Sequence, residues 1–278
     1  MGQAHAVQPL HQQPLPYQLL ERALRKAVDN NEFQLYFQPQ VDADNHIYGA
    51  EVLLRWFRDG DQLVSPADFI PVAEETGLIY MIGDWVLNQS CFYLQQIETL
   101  ADIDLKYLAV NVSPREFRRK NFAYRVESVL SKNGANPRML EIEVTENVLV
   151  DDIDDTVHKM ERLRNLGVSF SIDDFGTGYS SLSYLKQLPL DTLKIDRSFI
   201  QDVVHDNNDA TIVKTITSMA EMLGLNVIAE GVEDEQTLDF LRQNRCKCFQ
   251  GYLFGRPMPF EDFIALVRSQ HSVKQAAL

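Results

Sequence analysis

The stretch that decides the fold is Val168-Ser-Phe-Ser-Ile-Asp-Asp-Phe-Gly-Thr-Gly178. Apolar and polar residues alternate over 168–172, which predicts a short β-strand. The strand ends in two adjacent carboxylates, Asp173 and Asp174, and leads into a glycine-containing loop. Adjacent carboxylates repel each other unless a cation, a set of hydrogen-bond donors or a proton neutralises them. The stretch therefore predicts a functional site at the end of a strand.

The same strand ending recurs along the chain. Six further polar residues lie in or at the end of short β-like runs: Glu51, Asn111, Glu143, Lys194, Glu230 and Gln250. Barrels and open α/β sheets place their ligands at the carboxyl ends of the strands. Any single strand-end Asp or Glu is equally well explained as a helix cap, but all six residues together, with an Asn and a Lys among them, favour a single site.

Alternating strand-like and helical segments predict an α/β fold. The strand-like runs are 33–41, 47–57, 105–112, 140–145, 168–172, 192–195, 225–229 and 246–250, and helical patterns cover 114–132, 154–166, 209–223 and 234–244. Only residues 42–46 separate the first two runs, which predicts an antiparallel hairpin. The pattern predicts a modified (β/α)8 TIM barrel with an antiparallel first strand. An open doubly wound sheet remains the alternative.

Composition and charge exclude several classes of protein. The chain has 278 residues and a net charge of −14, which argues against binding to a nucleic-acid backbone. Its three cysteines form no CxxC pair, which is typical of a reducing compartment such as the cytoplasm, although a parent protein tethered to a membrane is compatible with this. Cys246 and Cys248 are interpreted as buried thiols, with a redox pair as the alternative.

The ends of the chain differ in character from its middle. Residues 1–16 contain three prolines and are interpreted as a linker or a remnant of cloning, 17–270 as one domain, and 271–278 as a C-terminal tail. The opening segment lacks the apolar centre of a signal peptide. No apolar stretch approaches the ~20 residues of a membrane span, so we expect no direct membrane insertion.

The strand-end residues offer mostly oxygen ligands. The candidate metal ligands are Glu51, Asn111, Glu143, Asp173, Asp174 and Glu230. No histidine lies in these motifs, so Mg²⁺ or Mn²⁺ is favoured over zinc. Two cations at the ~3.5–4 Å spacing of two-metal phosphoesterases would turn a water between them into a hydroxide nucleophile. Lys194 would orient that water or serve as a counter-ion for the acidic cluster.

Two motifs carry further charged candidates. Period two places Glu51, Leu53 and Arg55 on one strand face, where Arg55 would contact a phosphate or pair with Glu51. In the second motif, Glu143 and Glu146 straddle a strand end, so one would ligate a metal while the other supports a neighbouring loop.

Taken together, the motifs resemble those of the EAL-domain family of cyclic di-GMP phosphodiesterases. The matching segments are Glu51-Val-Leu-Leu-Arg55, Asn111-Val-Ser-Pro114, Glu143-Val-Thr-Glu146, Asp173-Asp-Phe-Gly-Thr-Gly-Tyr-Ser-Ser181, Leu193-Lys-Ile-Asp196, Ala229-Glu-Gly-Val-Glu233 and Gln250-Gly-Tyr252. The first motif has Val52 where the family's namesake triplet has alanine, at a position that faces away from the site. The resemblance covers roughly 17–269 and implies hydrolysis of cyclic di-GMP to linear pGpG.

The resemblance also implies a role for each site residue. One metal would be held by Glu51, Asn111, Glu143 and Asp173, the other by Asp173, Asp174 and Glu230, and Lys194 and Glu230 would be catalytic. Gln38, Leu53, Arg55 and Gln250 would bind substrate, while Glu146 would support the loop after Asp174 and Glu233 would lie behind the ligands. The implied partners are a second copy of the chain and an N-terminal sensory or GGDEF domain.

Two other functions compete with this interpretation. An inactive cyclic di-GMP receptor is the alternative within the family, although such members typically lose a metal ligand or the loop after the aspartate pair. A glycosidase would use Glu143 and Glu230 but gives no role to the adjacent Asp173 and Asp174. The survival of every expected ligand favours the phosphodiesterase.

Overall fold

A computed structural model describes residues 17–149, 152–177 and 185–276. Its strands are β1 (Phe33–Asp42), β2 (Ile47–Arg58), β3 (Gln62–Val64), β4 (Tyr107–Val112), β5 (Leu140–Thr145), β6 (Ser169–Phe175), β7 (Thr192–Ile195), β8 (Asn226–Ala229) and β9 (Cys248–Gln250). The described helices are α1 (Tyr17–Ala27), α2 (Pro66–Thr76), α3 (Ile79–Glu98), α4 (Pro114–Phe117), α5 (Phe122–Asn133), α6 (Ile153–Arg164), α7 (Arg197–Ile200), α8 (Asn207–Leu223), α9 (Glu235–Gln243) and α10 (Phe260–Ala276).

Eight of the strands close into a barrel. The hydrogen-bonded order is β1-β9-β8-β7-β6-β5-β4-β2-β3, and β1 also pairs with β2. β1 runs antiparallel to both of its neighbours, whereas β2 and β4 through β9 are parallel to one another. The predicted modified (β/α)8 barrel with an antiparallel first strand is confirmed. The short β3 pairs antiparallel with the end of β2 and lies outside the closed ring.

The early hairpin depends on a turn that Asp42 closes. Its Oδ1 accepts hydrogen bonds from the backbone amides of Asp44 and His46, both at 2.9 Å. Asn45 adopts a φ of 62°, a left-handed conformation that asparagine tolerates better than most residues. Local side-chain chemistry therefore reverses the chain and sets the antiparallel direction of the first strand.

Alternation along the strands separates a polar interior from an apolar exterior. Glu141 and Glu143 share one face of β5, and Ile142 shares the other with the remaining apolar residues. The hydroxyls of Ser169 and Thr192 donate to Glu141 Oε2 at 3.3 and 3.5 Å, so the glutamate face points into the barrel. A column of polar side chains thus leads up the barrel to its carboxyl-terminal mouth.

The predicted helix over 114–132 is two helices. α4 ends at Phe117, and α5 begins at Phe122 after a turn. The break lets the rings of Phe117 and Phe122 pack at a centroid distance of 5.0 Å, which a continuous helix would not allow at a spacing of five residues. A capping box of Ser113 and Glu116 fixes the start of α4 just after Asn111 and Val112.

The structure describes only part of the segments that flank the predicted domain. Residues 1–16 are not among the described residues, and α10 continues through the predicted tail to Ala276. The thiols of Cys91, Cys246 and Cys248 are free. Within the described ranges, no helix is both long and apolar enough to cross a lipid bilayer.

Candidate active site at the carboxyl-terminal mouth of the barrel

Lys194 lies at the centre of the site. All four residues of β7 are buried, and the side chain of Lys194 is 1% exposed. Its Nζ lies near four carboxylates: 3.3 Å from Glu51 Oε2, 2.8 Å from Glu143 Oε2, 3.1 Å from Asp173 Oδ1 and 2.6 Å from Glu230 Oε1. One buried cation thus faces four acidic groups, and its charge cannot neutralise all of them.

Strand register brings these groups to one level of the barrel. Asn111 pairs with Glu143 across β4 and β5, and Glu51 pairs with Gln38 across β2 and β1. Asp173 lies near the end of β6, and Glu230 directly follows β8 with its amide bonded to the carbonyl of Ile195. Residues that are far apart in the sequence therefore meet because the sheet closes on itself.

Glu51 is held by three different donors, Lys194 and two side-chain amides. Asn111 Nδ2 donates to its Oε1 at 2.6 Å, while Gln250 Nε2 donates to its Oε2 at 2.5 Å. Gln250 also donates to Gln38 Oε1 at 3.1 Å and accepts from Gln40 Nε2 at 2.9 Å. This chain of glutamines fixes the position of Glu51 from the antiparallel side of the barrel.

Burial raises the pKa of three carboxyls in the site, those of Glu143, Asp174 and Glu230. Burial raises the pKa of Glu230 to about 8, with Lys194 opposing and Asp173 adding to the rise. Burial also raises the pKa of Glu143 well above its usual value. Glu51 differs: burial pushes its pKa upward, but Lys194 and the hydrogen bonds to Gln250 and Asn111 hold it below the usual value. The four carboxylates keep the pKa of Lys194 well above its usual value despite burial.

The segment after β6 has an unusual backbone. Asp174 adopts a φ of 54° and Gly176 a φ of 101°, and a Cβ on Gly176 would lie 2.9 Å from the ring of Phe199. The amide of Gly176 donates to Glu146 Oε1 at 2.9 Å, so this carboxylate holds the backbone just after Asp174. Burial, together with Asp173, raises the pKa of Asp174 to about 6. The rest of this motif, residues 178–181, lies outside the described residues.

Two cavities flank the carboxylate cluster. One, of about 160 Å³, is lined by Gln38, Glu51, Asp173, Glu230 and Gln250 among others. The second, of about 310 Å³ and mostly apolar, is lined by Leu53, Arg55, Ile79 and Asn111 among others. The four predicted substrate residues are therefore divided between the two cavities.

The described side chains of Arg55 and Glu51 do not form an ion pair. Its guanidinium donates to the carbonyl of Leu54 at 3.0 Å and lies 5.8 Å from the ring centroid of Tyr36. Burial lowers its pKa, and the nearby Glu51 opposes this. The guanidinium remains available to an anion in the apolar cavity.

Sequence reasoning missed Arg197 and Tyr252. Both line the smaller cavity, together with the predicted Glu233. Arg197 begins α7 two residues after β7, and Tyr252 follows Gln250. Arg197 directly follows Asp196, the last residue of one motif noted above, and Tyr252 is itself the last residue of another, although no role was assigned to either.

The site has unsatisfied oxygens of the kind a metal would bind. Glu143 Oε1 and Asp173 Oδ1 are buried without a hydrogen-bond partner, although Asp173 Oδ1 lies near Lys194. One ligand atom each from Asp173, Asp174 and Glu230 lie within 4.8 Å of one another. Buried carboxylate oxygens normally have partners, so this donor set fits hard divalent cations.

Comparison with known proteins places the chain in a family. The model of the EAL domain matches residues 21–257. This chain belongs to the EAL-domain family. The cyclic di-GMP phosphodiesterase NbdA of Pseudomonas aeruginosa is 44% identical over 253 residues, which are 90% of this chain and 32% of that protein. The bifunctional diguanylate cyclase/cyclic di-GMP phosphodiesterase MucR of the same organism is 42% identical over 88% of this chain and 36% of its own length.

Solved structures of EAL domains have the same fold. The complex of the PaMucR phosphodiesterase with c-di-GMP superposes with a TM-score of 0.84 at 41% identity, covering 88% of this chain and 99% of that one. The Xanthomonas citri FimX EAL domain, at 22% identity and a TM-score of 0.78, supports the fold alone. The EAL-domain chain described here spans about a third of the length of the curated relatives named above.

Proposed function

We propose that this EAL domain hydrolyses one phosphodiester bond of cyclic di-GMP to give linear pGpG, using two divalent cations. The observation that carries the proposal is the group of four carboxylates around Lys194, in which Glu143 Oε1 is buried without a hydrogen-bond partner. The names of NbdA and of the PaMucR complex support the substrate.

The ligand set divides into two overlapping groups. Glu51, Asn111, Glu143 and Asp173 would hold one cation, and Asp173, Asp174 and Glu230 the other. Mg²⁺ and Mn²⁺ suit these oxygen ligands. When bound, such cations activate water at neutral pH and neutralise charge that develops on the phosphate.

Lys194 would supply a positive charge, and Glu230 would accept the proton of the attacking water. Nζ of Lys194 holds Glu230 Oε1 at 2.6 Å and thereby fixes the orientation of that carboxylate at the cavity wall. Glu230 is half-buried and lines the space that the attacking water would occupy. Bound cations would keep its carboxylate ionised despite the pKa of about 8 in the metal-free protein, so it is our candidate for the general base. The buried ammonium of Lys194 would remain charged and orient the water from below.

The two cavities suit a ligand with two bases. We place one guanine in the smaller cavity beside Gln38 and Gln250, and the other in the apolar cavity beside Leu53 and Arg55. Glu51 lines the first cavity, Asn111 lines the second, and these two side chains are hydrogen bonded. The scissile phosphodiester would therefore lie over this boundary, with Arg55 on a phosphate oxygen.

The decisive test is incubation with cyclic di-GMP and Mn²⁺ or Mg²⁺, followed by chromatography. We expect pGpG, and we expect EDTA to abolish its formation. Ca²⁺ should support binding without turnover, because its longer, more flexible coordination misplaces the water. Binding of intact ligand under all conditions would instead identify a receptor, and rates in Ca²⁺ comparable to those in Mg²⁺ would contradict the proposed metal chemistry.

Loss of the Glu146 carboxylate should weaken metal binding without removing a ligand. In Glu146→Ala the amide of Gly176 loses its acceptor, so Asp174 is no longer held in its left-handed conformation. We expect the Mn²⁺ concentration for half-maximal activity to rise roughly 10–100-fold, the usual effect of losing such a supporting group. The control is Glu146→Gln, whose amide oxygen can still accept; an equal loss in both variants would contradict an anchoring role for that hydrogen bond.

We further propose that the domain works as a homodimer, within a longer cytoplasmic or membrane-tethered protein that carries an N-terminal sensory or GGDEF domain. The support for the longer protein is the greater length of the curated relatives, of which this chain matches about a third. Sedimentation of the purified chain tests the dimer.

A further inference from the structure

A separate cavity of about 560 Å³ opens at the amino-terminal end of the barrel, opposite the carboxylate cluster. The beginnings of β8 and β9, the turn after β1 and the last parts of α8 and α9 form its walls. Small-molecule sites in proteins typically measure roughly 300–1,000 Å³. The cavity therefore has the size of a ligand site, and the proposed hydrolysis assigns it no role.

Positive charge is concentrated at this cavity although the chain is acidic. Arg242, Arg245 and Lys247 line it, opposed by the carboxylate of Glu221. The chain as a whole carries a net charge of −14, whereas the three cations and one carboxylate of the lining leave it with two positive charges in excess. Such an excess favours an anionic ligand.

Hydrogen bonds to uncharged acceptors fix the orientation of the Arg242 guanidinium but do not neutralise its charge. Its Nη2 donates to the carbonyl of Ala43 and to Asn45 Oδ1, both at 2.9 Å. Both acceptors are uncharged, so the positive charge remains for a ligand. Arg245 pairs with Glu221 at 2.9 Å, but both side chains are largely exposed, and such surface pairs are weak enough for a multiply charged anion to compete.

The backbone at Arg245 provides an independent observation. Arg245 follows α9 with a φ of 66°, a left-handed conformation that glycine adopts without strain. α5 and α8 both end at glycine in this conformation, at Gly134 and Gly224. Strained residues cluster at ligand sites, so an arginine in this conformation in the lining of a cavity favours a functional role for its side chain.

We propose that this cavity binds a small phosphorylated ligand, a phosphate monoester on an apolar or aromatic body. Guanidinium groups match phosphate oxygens in pairs, and a phosphate monoester carries nearly two charges at neutral pH. Leu225 and Val227 provide an apolar wall for the body of the ligand. This proposal does not depend on the proposed hydrolysis of cyclic di-GMP.

The test is calorimetric titration with phenyl phosphate in EDTA, which keeps metals out of the carboxylate site. We expect saturable binding that Arg245→Gly weakens at least tenfold. The same variant should keep its melting temperature, because it relieves the left-handed strain while losing only an exposed ion pair. Retained affinity together with retained stability in Arg245→Gly would overturn the proposal, as would the absence of binding to the unmodified chain.

Two variants and one competitor complete the design. Asn31→Gly relieves backbone strain at a left-handed residue far from Arg245 in the sequence, with a φ of 55°. Arg25→Gln removes an arginine from its ion pair with Glu21. Both variants should bind phenyl phosphate as the unmodified chain does. Cyclic di-GMP should not displace phenyl phosphate. Displacement would place the probe at the carboxylate site and refute a separate cavity site.

Discussion

Glu51→Ala should abolish hydrolysis of cyclic di-GMP while most of the ligand binding remains. The substitution removes a carboxylate that binds Asn111, Gln250 and Lys194, and a proposed metal ligand with it. Arg55 and the base contacts remain. We expect turnover in Mn²⁺ to fall by roughly 10³-fold or more. This exceeds the roughly 10–100-fold loss that is typical when a residue that only supports the metal ligands is removed. Chromatography of the product and calorimetry with the ligand measure the two quantities separately.

The fold should survive this substitution. Lys194 keeps three carboxylates within 3.1 Å after Glu51 is lost, so it is not left buried without a partner. Glu98→Ala, at an exposed position at the end of α3, is the matched control and should be fully active. Undiminished turnover in Glu51→Ala would refute the metal assignment. Loss of ligand binding equal to the loss of turnover would mean that Glu51 binds substrate rather than metal.

Local chemistry made most of the fold predictable. The five-residue turn at 42–46 indicated the antiparallel first strand, and the helical pattern over 209–223 ends at the last residue of α8, Leu223. The break between α4 and α5 was not predicted, because the packing of Phe117 against Phe122 is a tertiary contact that helical periodicity does not report. The short β3 was missed although a local signal was present: Asp59 and Gly60, which link it to β2, both adopt positive φ, and Asp-Gly is a typical hairpin turn.

The site was predictable as a set of residues but not as an arrangement. Strand endings singled out each carboxylate, yet the position of Lys194 among four of them depends on closure of the barrel. The link from Gln40 through Gln250 to Glu51 depends on β9 pairing with the antiparallel β1, which spacing cannot specify. The distribution of substrate residues between two cavities likewise follows from surface shape rather than from sequence.

Lys194→Met should destabilise the metal-free protein strongly. Removing the central cation leaves four carboxylates facing one another, and breaking a buried ion pair in this way costs roughly 3–5 kcal/mol. In the folded protein the pKa of Glu230 is raised to about 8. Between the usual carboxyl pKa and pH 8, the folded protein therefore binds more protons than the unfolded chain. Stability therefore falls as pH rises towards 8, and the variant should lose more at pH 8 than at pH 5. Urea unfolding in EDTA measures this loss.

Metal ions separate the two roles proposed for Lys194. Mn²⁺ should restore much of the variant's stability, because cations bound to the carboxylates replace the missing charge. Turnover should nevertheless remain lost if Lys194 orients the attacking water, whereas a mere counter-ion would allow near-normal rates once Mn²⁺ is bound. Lys159→Met is the matched control: this lysine is also buried, pairs with Asp155 and donates to the carbonyl of Phe117 at 3.1 Å. It should lose stability in EDTA and in Mn²⁺ alike, and each folded molecule should keep its full activity.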